Sequence, residues 1–182
     1  MKTKFFTLLL SVILLSCNGD KKKESLDLTN QVEKEDTFNV TLDVVVKKED
    51  VLHMYYTTDT ATNFGDKAPI SIGVKGSEAS QKVVFQIPEV DLPKVLRFDV
   101  GNNLDQDEII INSITLEYLG KTRSFVGKEM AFFFRVDESN CDCDIEKGLI
   151  KGKVVDGKRS TPLIYPHDQN LSAEIDKLIK QK

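Results

Sequence analysis

Few residues in this chain are equipped for chemistry. Its 182 residues include three cysteines, two histidines and no tryptophan. Cys141 and Cys143 stand in the run Ser139-Asn140-Cys141-Asp142-Cys143-Asp144. In an oxidising compartment such a pair can close a disulfide, and a single intervening residue makes the ring tight. Three readings follow in order: a loop disulfide, a pair of free thiols, a metal site. A metal needs more ligands than two sulfurs, and neither a second cysteine pair nor a nearby histidine supplies them. The acidic neighbours Asp137, Glu138, Asp142, Asp144 and Glu146 suggest calcium. The run nevertheless lacks the glycine and the regular Asp-x-Asp-x-Asp start of an EF-hand loop. These carboxylates read as a solvated acidic turn, and no metal or other cofactor is expected.

His53 lies between Leu52 and Met54 in an alternating run, and His167 follows Pro166. The chain has no Gly-x-Ser-x-Gly, His-Glu-x-x-His or phosphate-loop pattern, so hydrolase, zinc-protease and nucleotide readings lack their signals. No catalytic residue is assigned, and the expectation is a protein that is not an enzyme. A second grouping suits binding. Tyr55, Tyr56 and Phe64 lie close in sequence to Asp59, Asn63 and Asp66. Aromatic faces can stack on sugar rings while polar loop groups fix the hydroxyls. The competing reading is that these aromatics merely pack. Tyr55 and Tyr56 point to opposite faces of a strand, so at least one of them is expected in the core.

These residues need strands to position them. Phe38, Val40, Leu42, Val44 and Val46 recur with period two, which predicts a half-buried strand. Similar runs predict strands at 51–57, 70–74, 82–88, 95–101 and 109–119, with polar turns between them. Beyond Gly120 the pattern loosens. Strands are expected at 123–126 and 130–136, where Ala131-Phe132-Phe133-Phe134 suggests burial on both faces. A hairpin is expected to pair 149–155 with 160–165 through Asp156-Gly157. Residues 171–182 predict a short helix capped by Ser172, with Ile175, Leu178 and Ile179 on its apolar face. The expected fold is mainly β: an antiparallel β-sandwich of jelly-roll or immunoglobulin-like kind with a short C-terminal helix. The stretches Val95-Leu96-Arg97-Phe98-Asp99 and Ile109-Ile110-Ile111-Asn112-Ser113-Ile114-Thr115-Leu116 resemble the last two strands of jelly-roll, carbohydrate-binding-like domains of bacterial surface-glycan enzymes. The resemblance covers roughly residues 38–119 and implies a fold more than a ligand.

The N-terminus says where such a domain would work. Lys2 and Lys4 precede an apolar run from Phe5 to Leu15, and Leu14-Leu15-Ser16-Cys17 follows. The run is too short to span a bilayer, which takes about 20 apolar residues. An A-x-A-like cleavage site is also lacking. The four residues resemble the lipobox of bacterial lipoproteins. That resemblance implies cleavage before Cys17, a diacylglycerol on its sulfur and attachment to a bilayer through the acyl chains. The expected organisation is a signal peptide at 1–16, a lipidated charged tether at 17–36, and a β-sandwich domain at 37–182. The expected place is the bacterial cell envelope, at the outer membrane rather than the inner.

The charge balance excludes one class of partner. Lys and Arg number 25 against 29 acidic residues, a net charge of −4. Cleavage before Cys17 would remove two lysines and no acid. Nothing is basic enough for nucleic acid, whose binding needs clustered cations. The expected role is non-catalytic binding, with a glycan as the leading ligand. The alternative is a structural lipoprotein that docks onto another envelope protein through a sheet edge or the Phe132–Phe134 region.

Overall fold

The computed structural model describes residues 37–65, 68–167 and 169–180. The stretches expected to be a signal peptide (1–16) and a lipidated tether (17–36, with Cys17) lie outside the described residues, and so does Asp66.

The alternating runs fold as strands. They are β1 (Phe38–Val46), β2 (Asp50–Thr57), β3 (Ile70–Val74), β4 (Gln81–Ile87), β5 (Val95–Asp99) and β6 (Ile109–Tyr118). Every second residue of β1 is fully buried, from Phe38 through Val40, Leu42 and Val44 to Val46. The remainder is built from shorter pieces. These are β7 (Lys121–Val126), α1 (Lys128–Phe133), β8 (Phe134–Val136), β9 (Cys141–Asp144) and β10 (Leu149–Gly152). The chain then continues through β11 (Val154–Val155), β12 (Lys158–Arg159), β13 (Leu163–Pro166) and α2 (Asn170–Lys180).

The protein is mainly β, with two large antiparallel sheets, a two-stranded ribbon (β11-β12) and a short C-terminal helix. One sheet runs β4-β1-β6-β10-β9, with β7 also paired to β6. The other runs β3-β2-β5-β13-β8. Their inner faces share one core, in which Phe85 of β4 meets Phe98 of β5 with ring centroids 6.2 Å apart. Phe98 in turn meets Phe134 of β8 at 6.0 Å. The contact supplies the burial that each alternating strand requires.

One side of β6 serves two partners. Ser113–Tyr118 pairs with β7, whereas Ile109 and Ile110 pair with β10. The change of partner falls beside a register shift against β1, where Asp43 faces Ser113 and Val44 faces Ile111. Gly148, at φ +70°, brings its carbonyl to within 2.8 Å of the Ile111 N–H at that point.

Four expectations are corrected. Residues 130–133, expected to begin a strand, instead belong to α1 (Lys128–Phe133). Lys128, Glu129, Met130 and Ala131 favour helix, and burial of Met130 and Phe133 with Phe132 60% exposed follows a helical period, not two buried faces. The hairpin around Asp156-Gly157 is confined to its tip. Both turn residues have positive φ, as a tight two-residue turn requires, but only β11 and β12 pair there. The flanking segments separate, β10 to one sheet and β13 to the other, because each has apolar residues that fit a different inner face. The cysteine run expected in a loop is β9, hydrogen-bonded to β10. Finally, α2 starts at Asn170, and Ser172 lies inside its first turn, where Oγ donates to the Gln169 carbonyl at 2.9 Å. The helix buries Leu171, Ile175 and Leu178 along one stripe.

Candidate ligand-binding site

The outer face of the second sheet carries a row of alternating rings and guanidinium groups. Tyr55 of β2 lies directly opposite Arg97 of β5, and Tyr165 of β13 lies opposite Arg135 of β8. The Arg97 guanidinium carbon is 4.0 Å from the Tyr55 ring centre and 5.7 Å from that of Tyr165. The Arg135 guanidinium is 5.0 Å from the Tyr165 ring centre. Each cation therefore lies against the electron-rich face of a ring. Alternation along each strand sends these four side chains outward, and the antiparallel register brings them into line.

The loop after β2 closes over one end of this row. Thr57 Oγ1 donates to the carbonyls of Asp59 and Ala61, at 2.8 and 3.1 Å. Asp59 Oδ1 accepts from the Ala61 N–H at 3.0 Å, and Asn63 Oδ1 accepts from the Gly65 N–H at 3.1 Å. These side-chain-to-backbone bonds hold the loop in short turns. They also turn Phe64 back onto the sheet. Its ring is 5% exposed, meets Tyr55 edge-on at 6.5 Å, and lies 5.2 Å from the Arg97 guanidinium.

Between this loop and the end of β2 is a cavity of about 250 Å³, lined by Tyr56, Thr57, Thr58, Asp59, Ala61, Asn63 and Phe64. Tyr56 points inward, and its hydroxyl donates to Asp91 at 3.1 Å. Burial, and then that hydrogen bond, push its pKa up, so it remains a protonated donor near neutral pH. The cavity joins an apolar wall to a carboxylate, a carboxamide and a threonine hydroxyl.

Four of the residues singled out in the sequence thus line one cavity: Tyr56, Asp59, Asn63 and Phe64. Phe64 is a buried wall, so its ring face is closed to a ligand. Tyr55 lies on the outer sheet face, in contact with Phe64 rather than on the cavity wall. Sequence reasoning missed Arg97, Tyr165 and Arg135. The outward phase of each within its strand was the only available signal, and it does not say which strands are neighbours.

The cysteine run lies elsewhere. Cys141 and Cys143 are joined by a disulfide with their Cα atoms 5.6 Å apart, and Cys141 is buried. Asp137 is held below the usual carboxylate range chiefly by the Ser139 hydroxyl and backbone N–H. Its oxygens serve the turn that precedes β9. Among the described residues no group of three or more His, Cys, Asp and Glu side chains is placed to hold a metal ion. No helix among them is long and apolar enough to cross a membrane.

No protein-family model matches the chain, and neither a curated protein nor a solved structure matches it.

Proposed function

We propose that this chain is a lipid-anchored binding protein of the bacterial cell envelope, non-catalytic, whose loop 58–65 holds a sugar. The observation that carries the reading is the cavity beside that loop. Its volume, about 250 Å³, suits a single sugar ring. Phe64 and Ala61 offer apolar wall, and Asp59 and Asn63 offer an acceptor and a donor for hydroxyl groups. Asp59 and Asn63 each commit one oxygen to the loop itself. The second Asp59 oxygen and the Asn63 amide group make no hydrogen bond among the described residues and are available to a ligand. The sequence Leu14-Leu15-Ser16-Cys17 supports the anchor, because two or three acyl chains on Cys17 suffice for stable attachment.

Two measurements test this. Membrane fractionation and intact mass of wild type and Cys17→Ala test the anchor; an unlipidated soluble wild type would remove it. Glycan-array screening of wild type and Asn63→Ala tests the site. A sugar bound by wild type and lost in the variant supports the cavity, whereas a sugar bound equally by both places it elsewhere.

A second reading has one observation in its favour. Phe132 on α1 is 60% exposed and Val126 on β7 is 54% exposed, which suits docking onto another envelope protein. Loss of co-purification with an envelope partner in Phe132→Ser would favour it.

A further inference from the structure

Arg97 and Arg135 occupy one row and both approach the Tyr165 ring, yet their charges stand in different states. Asp99 closes the fork of Arg97 with two hydrogen bonds, and both side chains are largely buried, at 17% and 12% exposure. Arg135 is exposed, and among the described residues it makes neither an ion pair nor a hydrogen bond. The carboxylate nearest in sequence, Asp137, feels the Arg135 charge, which adds to the hydrogen bonds that hold its pKa down, but its oxygens bond elsewhere: to the Ser139 N–H at 3.0 Å, the Ser139 hydroxyl at 2.6 Å and the Asn140 amide at 3.1 Å. The row therefore ends in an open guanidinium fork lying on an aromatic ring.

We propose that the sugar ligand carries a carboxylate, and that Arg135 is the group that reads it. This rests on the sugar-binding role proposed above and adds the class of sugar. A planar guanidinium pairs with a planar carboxylate through two parallel hydrogen bonds, as Asp99 does with Arg97 one strand pair away. Tyr165 beside it offers apolar surface to the ring that bears the acid. Phe64, which walls the cavity, also touches Tyr55 and Arg97 at the far end of the row. From β2 to β8 the row crosses three strand intervals, about 14 Å. The occupant is an oligosaccharide rather than a single sugar: one unit sits by the loop, and a hexuronate unit lies over Tyr165 with its carboxylate on Arg135.

The test is calorimetric titration of the full chain with three probes of equal length. They are an oligogalacturonate, the same oligomer with its carboxyl groups reduced to alcohols, and a sulfated neutral oligosaccharide. Wild type should prefer the oligogalacturonate over its reduced form by about tenfold or more, the scale of a hydrogen bond to a charged group. Arg135→Gln should bring the oligogalacturonate down to the affinity of the reduced form, and Arg135→Lys should recover part of the difference. Raised salt should shrink the preference in wild type and leave Arg135→Gln unmoved. Equal binding of the acidic and reduced oligomers by wild type would overturn the inference while the sugar-binding role stands. So would a preference that survives in Arg135→Gln, or tighter binding of the sulfated probe. Binding of none of the three would overturn the inference, and the glycan-array screen then decides the sugar-binding role on its own.

Discussion

Arg97 and Asp99, two residues apart on β5, close on each other through two parallel hydrogen bonds, Nε to Oδ1 at 2.8 Å and Nη2 to Oδ2 at 2.9 Å. The period of a strand puts them on one face, and the two-bonded fit sets the plane of the guanidinium. That plane lies over Tyr55, while the main chain of β5 carries Leu96 and Phe98 into the core on the other side. One short segment thus anchors the sandwich inside and organises the candidate site outside.

Arg97→Ala should be among the more damaging outward-face substitutions. It leaves Asp99, 8% exposed, without its partner and uncovers the Tyr55 ring. The expected loss is about 2–4 kcal/mol, as for breaking a largely buried ion pair. Arg97→Lys should lose less, because one charge remains without the fork. Urea titration with a double-mutant cycle through Asp99→Asn measures the coupling. A loss under about 0.5 kcal/mol would mean that the pair behaves as an ordinary surface contact.

Gly148 should tolerate no side chain. A Cβ there would sit 2.0 Å from the Ile111 carbonyl oxygen, and φ is +70°. The atom in the way is backbone of the central strand β6, so it has little room to yield. Gly148→Ala should cost about 3 kcal/mol or more. Gly157 is the control. It has φ +74° but open space around the added carbon, so Gly157→Ala should cost only about 1 kcal/mol. Equal melting shifts for the two variants would show that the turn before β10 can lift away from β6.

Acid should loosen α2 before the sheets. Glu174 is held below its ordinary pKa chiefly by the Lys177 ammonium, and also by Arg123, whose Nε donates to it at 2.8 Å; burial opposes both. Asp176 on the same helix is held low by Lys180 and by Lys94 of the segment before β5. A folded-state pKa below the unfolded one means stability that is present above the unfolded value, near 4.3 for Glu and 3.9 for Asp, and is lost as pH falls through the folded value. Amide exchange of Ala173–Leu178 should therefore quicken below about pH 4 relative to β1. Glu174→Gln should flatten that pH dependence. Parallel quickening in α2 and β1 would contradict this account.

The six long strands were legible in the sequence because alternation is a local signal, and a strand with one buried face repeats it for its whole length. The loop candidates Asp59, Asn63 and Phe64 were legible for a related reason. They fall within one turn-rich segment that closes on itself, so nearness in sequence became nearness in space. After Gly120 the elements are too short for a period to show. Residues 128–133 became a helix because it places Met130 and Phe133 together in the core, and β10 and β13 diverged because each found a different sheet.

By itself, then, the sequence determined the mainly β class, the positions of β1 to β6, the C-terminal helix and four of the residues that line the loop cavity. Only the tertiary structure decided that Tyr55, Arg97, Tyr165 and Arg135 form a single row. Their alignment depends on β13 entering between β5 and β8 in one register. Register is set by which buried faces fit together across the sandwich, and no residue in the row carries that information in its own neighbourhood.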